Sequence, residues 1–259
     1  MIAGSFYEKL GVPFYLSPDK LESDYASVRF ERELRLFRAF CRSGDVLDVG
    51  SSTGAFLFQL KAKFPGDYKT LGIEISKPAL EYARGRGVEM LDESFLDFDF
   101  QERRFDGITF WAVLEHLTDA KAFLAKAATL VRSGGHIFIL VPNLKSAAVR
   151  ILKSKYRYIL PQHVNYFTAT TLKKLAQTQP ALEVVMDGTM HFNPLVIWQD
   201  WRSRSDYVSD EQRAALLKRT TSYKQNPLLK PVKWVYKGAE KVLAALNLAD
   251  NLFLVLRKK

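Results

Sequence analysis

Cysteine is almost absent: Cys41 is the single one in 259 residues. An internal disulfide, a zinc site built on cysteines and a three-cysteine iron–sulfur site are therefore excluded. Cys41 itself, in Ala39-Phe40-Cys41, reads as buried packing. Long apolar runs are missing as well. No stretch approaches the roughly 18 uninterrupted apolar residues of a membrane span, and residues 1–16 hold no basic leader followed by an apolar run, so a cytoplasmic chain that does not span a membrane is expected. Internal repeats, low-complexity tracts and interdomain linkers are absent too. Acid is in short supply, with 28 Asp and Glu against 38 Lys and Arg and a net charge of +10. That balance suits an anionic substrate, a membrane surface or nucleic acid without choosing among them.

What is present is 47% hydrophobic residues, enough for one full α/β core with a lid or small subdomain added. The chain is organised around Asp45-Val46-Leu47-Asp48-Val49-Gly50-Ser51-Ser52-Thr53-Gly54. Val46, Leu47 and Val49 suit a buried strand, and Gly50 and Gly54 let the backbone turn sharply and bring its N–H groups close to a ligand. A dinucleotide loop, Gly-x-Gly-x-x-Gly, must seat a pyrophosphate, whereas this turn places Asp48 ahead of its first glycine, where a carboxylate would repel a diphosphate. A phosphate-free donor with a sulfonium and an ammonium group welcomes that acid. Ser51, Ser52 and Thr53 can hydrogen-bond its carboxylate.

On these residues Leu47–Gly54 resembles motif I of the class I S-adenosylmethionine-dependent methyltransferases, Asp-x-Gly-x-Gly-x-Gly, with Ser52 in place of the middle glycine. Further matches follow in order. The strand over residues 68–75 ends on Glu74, and an acid at the end of the second strand can accept both hydroxyls of a ribose; Ile73-Glu74-Ile75-Ser76 resembles motif II. Val88-Glu89-Met90-Leu91 reads as a third strand. Ser94-Phe95-Leu96-Asp97 lies where the family contacts adenine, with Ser94 standing where the usual acid would be, so Ser94 and Asp97 are both candidates. Phe105-Asp106 opens the fourth strand, which runs through Trp111 into Leu114-Glu115-His116-Leu117, again as in the family. The Ser133-Gly134-Gly135 turn and Val141-Pro142-Asn143 resemble motif V. The cofactor contacts implied by the resemblance are Asp48, Gly50, Ser51, Ser52, Gly54, Glu74, Ile75, Ser94, Phe95 and Trp111.

His116 would face the cleft, where a neutral imidazole could accept a proton from a hydroxyl nucleophile; alternatively, Glu115 and His116 only shape the loop. Pro161-Gln162-His163-Val164-Asn165-Tyr166-Phe167 resembles the His-x-x-Tyr-Phe element beside the cleft of small-molecule members. That makes His163 a second candidate base and Tyr166 a substrate contact, against a role in packing the helix entry. Some relatives, the ubiquinone-pathway and small-RNA 2′-O-methyltransferases, bind a divalent cation through Glu-x-x-Glu-His. Here Ala112 takes the first position, so no metal is expected.

Two regions lie outside the core pattern. Residues 1–42 read as a helical cap, with an amphipathic helix over 21–40 whose Arg29 or Arg32 could reach the cofactor's carboxylate. Residues 190–248 form an insertion far longer than a strand connection needs, the mark of a functional lid. It carries Phe192, Trp198, Trp201 and Tyr207 with Arg202 and Arg204, and the tryptophans are candidate substrate contacts. Within it Pro231 opens a helix with Leu228, Val232, Val235, Ala239, Val242 and Leu246 on one side and Lys233, Lys237 and Lys241 on the other. Such a helix either covers the core with its lysines in water or lies on an anionic membrane or a partner.

The expected fold is a three-layer α/β, Rossmann-like sandwich on a mostly parallel seven-stranded sheet with the last strand antiparallel. It would be one domain over 1–259: cap 1–42, core 43–189, insertion 190–248 and final strand 249–259. The resemblance implies S-adenosylmethionine as cofactor and methyl transfer to an oxygen or nitrogen of a small molecule, such as a sugar or lipid-linked intermediate. No cysteine nucleophile is available for cytosine C5, and the Asp/Asn-Pro-Pro-aromatic element for exocyclic base amines is absent. RNA methylation, and non-catalytic cofactor or membrane-surface binding, are the alternatives.

Overall fold

The computed structural model describes residues 12–156, 159, 162–202, 209–226, 228 and 230–259; Pro161, Arg204 and Tyr207 lie outside them, as do the side chains of Pro231, Val232 and Lys233. Seven strands form one sheet: β1 (Gly44–Val49), β2 (Tyr68–Ile73), β3 (Met90–Leu91), β4 (Phe105–Trp111), β5 (Val131–Pro142), β6 (Leu182–Met190) and β7 (Asn251–Lys258). Their spatial order is β3-β2-β1-β4-β5-β7-β6. Strands β1 to β5 pair in parallel, and β7 runs antiparallel to both β5 and β6. Three strands carry the period-2 pattern that a sheet covered on both faces requires. Ile137, Ile139, Val141, Leu252, Leu254, Leu256 and Leu47 enter one apolar cluster, while Phe138, Leu140, Phe253, Val255 and Val46 enter the other.

The first cluster is covered by α6 (Ala120–Leu130) and α8 (Ala169–Gln177), through Leu124, Ala127, Leu172 and Ala176. The second is covered by α3 (Glu31–Phe40), α4 (Ala55–Lys63) and α5 (Lys77–Gly85), through Leu34, Phe37, Phe56, Leu60, Leu80 and Ala83. Caps fit the sequence: the Asp119 side chain accepts from Ala122 N, and Thr168 and Thr171 form a capping box. Cys41 is buried beside Phe37, and burial pushes its thiol up to about 12, so it is packing rather than a nucleophile.

Some boundaries differ from the sequence reading. The helix expected over 21–40 is two helices, α2 (Pro18–Tyr25) and α3, because Ala26 is extended and Phe30 takes a left-handed φ of 59°. The third strand is only Met90–Leu91, since Gly87 has just turned the chain at φ 75°. The sixth runs on to Met190, paired along its length with β7. The remaining helices are α1 (Val12–Tyr15), α7 (Ala147–Leu152), α9 (Pro194–Arg202), α10 (Asp210–Gln225) and α11 (Lys230–Ala245). Among the described residues no helix is long and apolar enough to cross a membrane.

Cap and insertion meet. Lys218 of α10 pairs with Asp19 and Glu22 of α2 at 3.0 and 2.9 Å, Arg32 pairs with Glu240 of α11, and His191 faces Glu33 at 2.9 Å. Burial alone would raise Glu33, but His191, with Arg29 nearby, overcomes it and holds the carboxyl at about 2.

Candidate active site

In the sheet order β1 is flanked by β2 on one side and β4 on the other, which opens a crevice past the carboxyl ends of these strands. A cavity of about 620 Å³ occupies it. Gly50 leaves β1 at φ 67°, and a Cβ there would come 2.9 Å from Val113, so a side chain has neither the backbone conformation nor the space. Ser52, in place of the family's middle glycine, also takes a left-handed φ, 50°. Ser51 lines the cavity, but its hydroxyl faces Met90 Sδ at 3.5 Å.

Two buried acids stand at the strand ends. Asp48 accepts from Thr109 Oγ1 at 2.6 Å, and burial, opposed by that bond and reinforced by Glu74, raises its carboxyl to about 7. Glu74 accepts from the backbone N–H groups of Ser52, Ile75 and Ser76 at 2.8 to 2.9 Å, and burial raises it as well. Its carboxylate thus ties the Gly50–Gly54 turn to the end of β2. Each carboxylate oxygen can accept more than one donor, so Glu74 keeps capacity for a ligand hydroxyl. Ile75, Ser94, Phe95 and Trp111 line the same cavity. Phe95 is buried, and the Trp111 indole N–H is buried with no partner among the described residues. Asp97 is exposed and not at the cavity, which leaves Ser94 of the two adenine candidates, with Glu93 beside it.

At the far end, Val164 N and Asn165 N donate to Glu115 O at 2.9 and 3.0 Å, and the Asn165 amide donates to Leu114 O and Leu117 O. This clamp folds residues 162–165 onto the turn after β4 and sets the rings of His116 and His163 4.5 Å apart, T-shaped. His116 Nδ1 donates to Gln162 O at 3.1 Å, which leaves the lone pair on Nε2. Burial lowers His116 to about 4 and raises Glu115 to about 8, so near neutral pH both are uncharged. Glu115, His116 and His163 bring ligand atoms within 4.8 Å of one another. A pattern confined to residues 112–116 does not count His163, which the fold supplies from elsewhere. The donor set, two imidazoles and one carboxylate, is poor for an oxygen-seeking cation, to which Ala112 adds nothing, but is one that zinc or ferrous iron takes.

Tyr166, Trp198 and Trp201 are not brought to this cavity. Tyr166 points outward beside His163, and Trp201 is 66% exposed. Trp198 lines a separate shallow depression between α9 and α10, its ring under Arg202 at 4.8 Å. The residues that do close the cavity come from cap and insertion together: Phe14, Tyr15, Lys20, Arg29, Arg213 and Leu217. Arg213 lies 4.8 Å over the Phe14 ring. Of the two arginines considered from sequence, Arg29 lines the cavity, paired with Asp24 at 3.2 Å, and Arg32 is engaged with Glu240.

A strand–glycine turn–helix at the switch point of a seven-stranded sheet, with buried acids at the ends of the first two strands, defines a Rossmann-like methyltransferase. A family model described as a methyltransferase domain matches residues 24–179. The chain belongs to that family; it is an S-adenosylmethionine-dependent methyltransferase of the small-molecule type, with S-adenosylmethionine as cofactor. It is 30% identical over 164 residues to a ubiquinone biosynthesis O-methyltransferase of Vibrio vulnificus, covering 58% of this chain and 68% of that one. It is also 30% identical over 137 residues to the O-methyltransferase cnsE of Penicillium expansum, covering 49% of each. In fold it is similar to a SAM-dependent methyltransferase from Archaeoglobus fulgidus, with a TM-score of 0.60, 18% identity and coverage of 96% and 98%.

Proposed function

We propose that this chain is a cytoplasmic enzyme of one domain that methylates the hydroxyl of a small molecule, such as a sugar or lipid-linked intermediate, and uses no metal. The observation that carries this reading is a single cavity that holds the glycine turn and two buried acids at one end and two histidines in edge-to-face contact at the other. Its volume, about 620 Å³, lies in the range of small-molecule sites. Its closure by cap and insertion favours a small acceptor over RNA, and the O-methyltransferase names of the two relatives favour oxygen over nitrogen.

When bound, S-adenosylmethionine supplies a methyl group on a sulfonium that is its own leaving group. The chain's residues bind and align. Asp48, Gly50, Ser51 and Ser52 take the methionine end, Glu74 and Ile75 the ribose, and Ser94, Phe95 and Trp111 the adenine; Gly54 is packed on Ala83 and Val88 away from the cavity and serves the turn only. Arg29 can pair with the cofactor's carboxylate. His116, neutral and with its lone pair on Nε2, accepts the acceptor's hydroxyl proton, and His163 holds its ring in place. With Glu115 also neutral, this end of the cavity carries no charge of its own to hold water.

The test is transfer of labelled methyl from S-adenosylmethionine to a panel of phenols, sugars, lipid-linked alcohols, amines and RNA, before and after exhaustive dialysis against a chelator. Transfer to a hydroxyl that survives dialysis and falls at least a hundredfold in His116→Ala is expected. Transfer only to amines or RNA, or activity lost on dialysis and restored by a divalent ion, would overturn it.

A further inference from the structure

Helix α11 is mounted against its own amphipathicity. The side turned to the protein carries Tyr236, Glu240, Leu243 and Ala244: the Tyr236 hydroxyl donates to Phe192 O, Glu240 is buried and paired with Arg32, and Ala244 O accepts from Thr189 Oγ1 at 3.3 Å. Val235, Ala239, Val242 and Leu246, at i, i+4, i+7 and i+11 on one face, all lie in solvent, Val235 at 76% exposure and Leu246 at 62%. Leu228, just ahead of the helix, is 85% exposed. The stripe that would ordinarily cover a core therefore faces outward, and a row of exposed apolar side chains on one helix marks a contact surface.

The neighbours of this stripe indicate what covers it. Trp234, 80% exposed, lies about a quarter of the way round the helix from Val235, and Lys237 and Lys241 follow it at i+3 and i+7 on the side away from the stripe, both exposed. An apolar row on one side of a helix, with an indole and ammonium groups on the other, is the composition of a helix lying in the boundary between acyl chains and anionic headgroups, where long lysine stems reach back to phosphate. A second copy of this chain fits less well, since it would bring two lysine rows and two chains of net charge +10 together. We propose that α11 docks this protein peripherally on an anionic lipid bilayer, with Val235, Ala239, Val242 and Leu246 in the interface and Lys237 and Lys241 on the headgroups. This does not rest on the reading of the cavity: the helix is on the surface and shares no residue with it.

The test is co-sedimentation with vesicles of phosphatidylcholine alone or mixed equally with phosphatidylglycerol, with light scattering of the vesicle-free protein. The intact protein is expected to sediment with the mixed vesicles and to stay behind with phosphatidylcholine. Lys237→Gln and Lys241→Gln each weaken binding roughly fivefold, and Val235→Glu with Val242→Glu abolishes it. All three variants alter exposed positions, so circular dichroism and S-adenosylhomocysteine affinity should be unchanged. Should Val235→Glu with Val242→Glu lose the native dichroism, Val242→Gln, a milder change, must still weaken binding. Failure of the intact protein to sediment with mixed vesicles, binding unaffected by the stripe variants, or a vesicle-indifferent dimer that Val235→Glu with Val242→Glu splits would each overturn the proposal.

Discussion

The wall of the cavity built by the sheet carries Asp48 and Glu74, fixed by strand ends, by Thr109 and by backbone N–H groups, whereas the wall built by cap and insertion carries Lys20, Arg29 and Arg213 on separate segments. One wall is acidic and buried; the other is basic on balance and mounted on long side chains, two of which, Lys20 and Arg29, pair with the buried Asp24. Backbone-fixed groups cannot move aside when a neighbour changes, while long side chains can, so equal truncations should cost unequally on the two walls. The basic wall also depends on contacts between distant segments, such as Lys218 with Asp19, which can open without disturbing the sheet.

The sharpest way to break this contrast is Gly50→Val. A branched side chain at φ 67°, with a Cβ 2.9 Å from Val113, should lower the melting temperature and abolish S-adenosylhomocysteine binding in calorimetry; unchanged affinity would mean that the turn yields as easily as the cap. Next comes Glu74→Ala against Arg213→Ala. The first strands three backbone donors and should cost at least tenfold in cofactor affinity, about 1.4 kcal/mol or more; the second, on the compliant wall, should cost threefold or less.

Asp48→Asn probes the acidic wall through pH. The carboxyl titrates near 3.8 when unfolded and at about 7 in the fold, so the stability it contributes is fully present below pH 3.8 and is lost as pH rises through 7. The variant's melting temperature should therefore gain on that of the parent as pH rises from about 4 to 7 and level off above that, while its cofactor affinity falls. A constant difference across that range would show that Asp48 does not titrate there. Smallest is Ser52→Gly, which removes a left-handed non-glycine residue and should stabilise by about 1 kcal/mol, read as a rise of a few degrees in melting temperature.

Sequence made the acidic wall readable because its logic is local. Val46, Leu47 and Val49, the glycine turn and Glu74 lie in continuous stretches whose roles follow from period-2 burial and strand-end position. The basic wall was not readable in this way. Arg213 and Leu217 reach the cavity only because α10 docks on α2, a pairing with no local signature. His163 meets Glu115 through Asn165, whose amide bonds two carbonyls about 50 residues away; a polar residue between His163 and Tyr166 gives no sign of that by itself. Trp198 and Trp201 misled because aromatics beside arginines look alike on a cleft and on a surface. In α11 the periodicity was legible, but which face turns inward was decided by two polar anchors, Tyr236 and Glu240, that periodicity does not weigh.

The central claim is tested most directly by a crystal structure of the protein with S-adenosylhomocysteine. The account predicts ribose hydroxyls within hydrogen-bonding distance of Glu74, the homocysteine end against Gly50, and the sulfur directed toward His116. Ligand found instead in the depression between α9 and α10, or in the cavity with its ribose away from Glu74, would contradict it.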